Sequence, residues 1–213
     1  MVITSIGEIG ISVGDREIVL RPSLRAMASL GSPSELVQLF ADVMAPAPLQ
    51  LGKPWLDRNL AAVHWRRVTW ASYSVISACA SEDISDLLGT MGERYGTFKP
   101  GRIPLDHFAP LASSLMKHGV IGIVPKDREE ANESSDDDYT PEFNAREFVA
   151  LAMVHLGMSE AEAWNMTMTS FSLAMRAKFG KPDKKKPSAK KHDEAMAFLE
   201  RVNARRARDK QNV

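Results

Sequence analysis

The sequence has little that could support a disulfide framework, a metal centre or a membrane span. Cys79 is the single cysteine, which excludes an internal disulfide and a Cys-rich zinc site. The five histidines are scattered and form no HExxH pair. No apolar run approaches the roughly 18 residues of a membrane span, and the first residues lack the features of a secretory signal. We therefore expect a cytoplasmic protein without metal or cofactor, with Cys79 in its core.

Catalytic motifs are also missing. The chain has no serine nucleophile elbow, no Cys-His pair in a suitable context and no close carboxylate pair in an apolar setting. The glycines between residues 89 and 101 follow neither phosphate-loop nor dinucleotide-binding order, which predicts a flexible loop. The acidic run at residues 136–138 lacks the ligand spacing of a calcium loop. We expect no catalytic residues and a protein that is not an enzyme.

The charges are segregated, although 27 basic and 27 acidic residues cancel over the whole chain. Residues 126–142 carry eight acidic and two basic side chains, whereas residues 181–213 carry eleven basic and five acidic ones. The acidic stretch cannot bury enough apolar surface to offset chain entropy, so we predict a flexible linker at 126–140. It separates a domain at 1–125 from a module at 141–180, and a partly disordered basic tail follows at 181–213.

Apolar periodicity and capping signals predict a mainly α-helical first domain with a small N-terminal β-hairpin. Ile9, Ile11 and Val13 alternate before a turn at Gly14 and Asp15. Three helical stretches follow. They are a helix from the Ser32–Glu35 capping box to Met44, one long helix or two between Leu56 and Ala80, and a helix at 104–117 that Gly119 ends. A strand remains an alternative within VTWASYSV.

The segment after the linker predicts a compact three-helix module. Its first helix opens at Thr140 and Pro141 and closes at Gly157. A second capping box, SEAE from Ser159, begins a short helix, and Thr167 caps a third helix that ends at Gly180.

Five of the eleven methionines lie in this module, together with Trp164 and Phe171. Flexible thioethers suit an adaptable binding surface, but a small bundle also needs such side chains for its own core. We expect Met153, Trp164 and Phe171 to favour the core, whereas Met166 and Met168 flank the predicted cap and should be more exposed. The partner-binding candidates are Met158, Trp164, Met166, Met168, Phe171 and Met175.

A DNA-binding or regulatory protein is the alternative function. Three short helices followed by basic residues are similar to a helix-turn-helix. However, the third helix carries only Arg176 and Lys178 as charges and has no Arg, Asn or Gln near its start to read base edges. Nucleic acid contact therefore remains open mainly through the basic tail.

Residues 142–177 also resemble the "helix, G-[LM]-S-x-x-E-x-W-x-M-T-x-x-E-F" pattern of tail assembly chaperones from long-tailed bacteriophages. Ser170 departs from this pattern, where an acidic residue is usual. Residues 107–122, HFAPLASSLMKHGVIG, resemble a helix ending in "L-x-x-H-G-[VI]-x-G" in proteins encoded near phage tail genes, and the opening of the chain fits the same group. The matching residues of the first motif are Gly157, Met158, Ser159, Glu162, Trp164, Met166, Thr167 and Phe171.

The resemblance implies a non-enzymatic factor of the bacterial host cytoplasm that is not retained in the mature virion. Its partners would be the tape-measure protein, which it keeps soluble, and the tail-tube protein, which it recruits. Self-association remains open, and no membrane contact is expected. A long helical partner with apolar stripes would need helix grooves lined by adaptable apolar residues.

Overall fold

The computed structural model describes residues 2–14, 16–48, 50–91, 98–123 and 142–180. The predicted mainly α fold with a small N-terminal hairpin is confirmed. The chain divides into two units, Met1–Lys178 and Phe179–Val213, and only residues 179 and 180 of the second unit are described. The predicted linker at 126–140 and tail at 181–213 lie outside the described residues.

An antiparallel sheet of three strands opens the chain. It consists of β1 (Val2–Ile3), β2 (Ile9–Val13) and β3 (Arg16–Leu20), with Ile9 paired to Leu20. Gly14 adopts a positive φ of 64° in the β2–β3 turn, which glycine tolerates without strain. Ile9, Ile18 and Leu20 are buried, so one face of the hairpin packs against the helices, as expected for a hairpin with alternating apolar residues.

The first helices follow their sequence signals closely. Helix α1 (Leu24–Ala28) precedes α2 (Pro33–Met44), whose predicted capping box between Ser32 and Glu35 is confirmed, with Pro33 at the first helical position. Between residues 56 and 80 the chain forms one continuous helix, α3 (Pro54–Cys79), rather than two helices or a strand. Its buried side chains recur at helical spacing from Val68 to Cys79.

A second hairpin occupies part of the segment that we predicted to be a flexible loop. After α4 (Ser85–Leu88), the strands β4 (Gly89–Met91) and β5 (Phe98–Pro100) pair antiparallel; residues 92–97 between them are not described. Gly89 has φ +97°, and a Cβ there would lie 2.1 Å from the Lys99 carbonyl oxygen. This glycine therefore permits close strand approach, a role that its presence in a glycine-rich run does not reveal.

The predicted helix end at Gly119 is wrong. A 3₁₀ turn (Leu105–His107) leads into α5 (Phe108–Met116), and a π-helical turn (Lys117–Ile121) carries the helix past Gly119. Gly119 is buried because α1 packs closely against it, and an added Cβ would lie 2.8 Å from Met27 Sδ. Gly122, with φ +76°, ends the helix instead.

Three helices follow in the C-terminal segment, as predicted. They are α6 (Ala145–Leu151), extended by a π-helical turn (Ala152–Leu156), then α7 (Glu160–Asn165) and α8 (Met168–Phe179). Asn144 caps α6, so this helix begins later than predicted, and Thr140 and Pro141 lie outside the described residues.

The division into a domain at 1–125 and a separate module at 141–180 differs from the structure. Residues up to Lys178 form one compact unit, because α1 packs against both α6 and α7. Ala152, Ala163 and Phe171 belong to the same hydrophobic core as Ile9 and Leu115. The C-terminal helices therefore complete the core of the N-terminal part rather than building one of their own.

Candidate functional site

Local signals fix the end of the turn after α6 and the start of α7. Gly157 adopts the left-handed conformation, φ +68°, and ends the turn that follows α6. The predicted SEAE capping box is confirmed: Ser159 N donates to Glu162 Oε2 at 2.9 Å, and Ser159 Oγ accepts from Glu162 N. Hydrogen bonds from Ser159 lower the pKa of Glu162. These motif residues therefore have a structural role in starting α7.

The Met166-Thr167 pair ties the C-terminal helices to the start of the chain. The Met166 carbonyl accepts from Leu24 N at 2.8 Å, at the beginning of α1. Thr167 is buried; its Oγ1 donates to the Ile6 carbonyl at 2.9 Å and accepts from Ser170 N at 3.1 Å, which confirms the predicted cap of α8. The hydroxyl of Thr167 therefore provides a hydrogen-bond partner both for the Ile6 carbonyl and for the first turn of α8.

The second motif meets the first at His118. Its Nδ1 shares a hydrogen bond of 2.9 Å with Thr169 Oγ1, which also accepts from Ile123 N at 3.0 Å. Gly7, with φ +86°, lies directly against the His118 ring, where any Cβ would clash. Burial lowers the pKa of His118. The two motifs that carry the phage resemblance thus form one contact between the end of α5 and the start of α8.

The predicted partner-binding side chains face mainly the core. Phe171 is 6% exposed and meets the Phe148 ring edge to face, so its predicted core position is confirmed. Met166 and Met168 are half-buried against the core, as Trp164 is, which contradicts their predicted greater exposure. The remaining two candidates, Met175 and Met158, are also half-buried.

Met153 shows the opposite error, because we expected it in the core and it is 40% exposed. It lies in the π-helical turn after α6, where a wider backbone turn shifts the face that each residue occupies. The regular helical spacing used for the sequence prediction does not hold in such a turn.

Two clefts open beside α7. One, of about 630 Å³, lies between α1 and α7 and is lined by Arg25, Glu160 and Trp164, with Trp164 Nε1 donating to Glu160 Oε1 at 3.1 Å. The other, of about 340 Å³, includes Met166 and an ion pair between Arg21 and Glu8. Trp164 and Met166 therefore line different clefts, and most of the charged groups in both clefts have a partner nearby.

A larger apolar surface lies on the N-terminal half of α3, which the sequence prediction missed. We call residues 54–67 the α3 arm. Every residue of the arm is exposed or half-buried, whereas the buried residues of α3 begin at Val68. Trp55, Val63 and Trp65 are exposed by 67%, 64% and 55%. The arm is about 20 Å long at the rise of an α-helix, and large apolar groups are exposed throughout.

The spacing of these side chains indicates a helix-packing seam. Leu56, Leu60 and Val63 follow one another at intervals of four and three residues, which places them on one face. Lys53 precedes this row and Arg66 borders its end. The signal available in the sequence was the clustering of tryptophans and arginines within a single helix, which the sequence prediction did not use.

Reactive and metal-binding groups are sparse in the described part of the chain. Among residues 2–14, 16–48, 50–91, 98–123 and 142–180 there is no cluster of three His, Cys, Asp or Glu side chains that could hold a metal ion. Burial raises the pKa of the Cys79 thiol, so its nucleophilic thiolate form is disfavoured. None of the described helices is long and apolar enough to cross a membrane.

Comparison with known proteins gives one match. No curated protein and no solved structure matches the chain. A model of the family described as "Family of unknown function (DUF6246)" matches residues 20–194, which include helices α1 to α8. Since this match covers most of the sequence, the protein belongs to the DUF6246 family.

Proposed function

We propose that the protein is a tail assembly chaperone of a long-tailed bacteriophage. It acts without catalysis: it binds the apolar helical surface of the tape-measure protein, helps to recruit tail-tube subunits in the host cytoplasm and leaves before the virion is complete. The observation that carries this proposal is the α3 arm, a helical segment with exposed tryptophans and an apolar seam. Such a surface suits a helical protein partner.

The arm replaces the methionine-rich segment as the main contact surface of the proposal. Phe171 is buried, and Met166 and Met168 already pack against the core, so they have little area left for a partner. Trp164 and Met166 still line the clefts beside α7 and would contribute a secondary contact. The residues of the phage-like motifs cap helices and join them to one another. They therefore support the proposal as a resemblance in fold, and they do not supply exposed binding groups.

The alternative, DNA binding through α6 to α8, has less support. In a helix-turn-helix the start of the recognition helix enters the major groove. Here Met168 packs against Gly122, and Thr169 is fully buried, with its hydroxyl hydrogen bonded to the His118 ring. The first turn of α8 therefore has few side chains available to base edges.

The test is co-expression with the tape-measure protein encoded in the same genome. We expect co-purification that persists at high salt, and we expect the double substitution Leu60→Glu with Val63→Glu to reduce recovery at least tenfold, because two charges would enter an apolar contact. Both residues are exposed, so circular dichroism and the unfolding midpoint should change little.

Val154→Glu is the matched control, since Val154 is an exposed apolar residue far from the arm in sequence, at the end of α6. This variant should retain the partner. Equal recovery of the tape-measure protein by all three proteins would show that the arm is not the contact surface. DNA retention that falls steeply with salt, combined with no tape-measure binding, would support the alternative function.

A further inference from the structure

The charges around the α3 arm specify the partner more closely than its apolar seam does. The basic side chains Lys53, Arg58 and Arg66 are accompanied by one acidic residue in the arm, Asp57. Asp57 is already engaged, because its Oδ1 accepts from Leu51 N at 2.8 Å. Arg58 and Arg66 form no ion pair with the described residues. The arm therefore combines exposed apolar side chains with an excess of positive charge.

Two of these basic residues lie at the two ends of the apolar seam. Lys53 lies three residues before Leu56, and Arg66 lies three residues after Val63, so both ends of the seam have a basic neighbour on nearly the same side. Arg67, which follows, pairs with Asp42 of α2 and holds the arm to α2. A helix lying along the seam would place its own flanking residues beside Lys53 and Arg66.

We propose that the α3 arm binds an amphipathic helix whose apolar stripe is flanked by glutamate or aspartate. This inference rests on the proposed function and names the chemistry of the segment that is captured. Opposite charges at the border favour encounter and fix orientation, while the apolar seam supplies most of the affinity. A membrane surface is a less suitable occupant because Trp55 and Trp65 lie on other faces of α3 than the seam, whereas interfacial helices gather their apolar side chains on one face.

The experiment uses the full chain and three synthetic peptides of about 20 residues that share one heptad stripe of leucines. Their flanking positions carry Glu, Gln or Lys. Binding is measured by fluorescence anisotropy of the labelled peptides. We expect the Glu peptide to bind about tenfold more tightly than the Lys peptide, with the Gln peptide between them, as a few exposed charge pairs allow. The difference should shrink in about 1 M salt.

Arg66→Glu is the decisive variant, and Arg146→Glu, which makes the same charge change at an exposed position of α6, is its control. Arg66→Glu should remove most of the preference for the Glu peptide, whereas Arg146→Glu should preserve it. Equal affinity for all three peptides would overturn this inference and leave the proposed function intact. Binding of anionic phospholipid vesicles that depends on the arm, without binding of any peptide, would also overturn it. So would a dimer, seen by sedimentation, that Leu60→Glu with Val63→Glu dissociates.

Discussion

The segment around α7, residues 157–171, and the α3 arm both contain large apolar side chains, but these side chains are packed against the core in the first and exposed in the second. Both contain tryptophan and several aliphatic or thioether side chains. In the α7 segment these side chains pack against the core, and polar groups such as Thr167 lock them in place. In the arm, Trp55, Val63 and Trp65 are exposed. Apolar content therefore identifies surfaces that must be covered, but not whether the chain itself covers them.

Helix length explains the difference. Helix α3 has 26 residues and is about 39 Å long, whereas α5 with its π-helical turn spans residues 108–121, about 21 Å. Helix α5 packs against α3 but is too short to cover its whole length. The buried residues of α3 begin only at Val68, and Val75 and Ile76 are completely buried. The arm is thus the part of the longer helix that its packing partners leave uncovered.

The largest effect that separates the two regions should come from truncating one aromatic side chain in each. Phe171→Ala removes a buried ring and should lower the free energy of unfolding by about 3–5 kcal/mol. Trp65→Ala removes an exposed ring and should change it by less than about 0.5 kcal/mol. Urea unfolding measures both. A cost for Trp65→Ala that approaches that of Phe171→Ala would mean that the arm is covered within the chain.

A smaller effect should come from the link between Thr167 and the start of the chain. Thr167→Val keeps the shape of the side chain but removes the donor to the Ile6 carbonyl and the acceptor for Ser170 N. We expect a loss of about 1–3 kcal/mol, since buried polar groups are left unpaired. Thr69→Val in α3 is the control and should be nearly neutral. If both variants were equally stable, the Met-Thr motif would need an explanation other than folding.

The sequence predicted those parts of the fold that depend on local signals. Alternation around Gly14 and the capping boxes at Ser32 and Ser159 lead directly to the observed elements. Features that depend on contacts between distant residues were missed. Gly119 resembles a helix stop, but it is a close-packing position against Met27, a residue far away in sequence.

The candidate site was harder to predict for the same reason. We expected Met153 in the core and Met168 at the surface, yet Met153 is exposed and Met168 packs against the core. Their difference follows from a π-helical turn and from the docking of α8 beside Gly122. The exposure of the arm depends on how far the helices that pack against α3 extend along it. No local pattern in the sequence contains that information.

The smallest expected effect concerns pH and His118. Burial lowers its pKa below the ordinary 6.5, so the unfolded chain binds a proton more readily than the folded chain does. The free energy of unfolding should therefore be unaffected by this group above that value and should decrease as the pH falls below it. His118→Gln should flatten the slope between about pH 7 and pH 5.5, whereas substituting the exposed His107 by Gln should preserve it. An unchanged slope in His118→Gln would mean that the ring is protonated as easily in the folded protein as in water, and that the contact between the two motifs tolerates a charge.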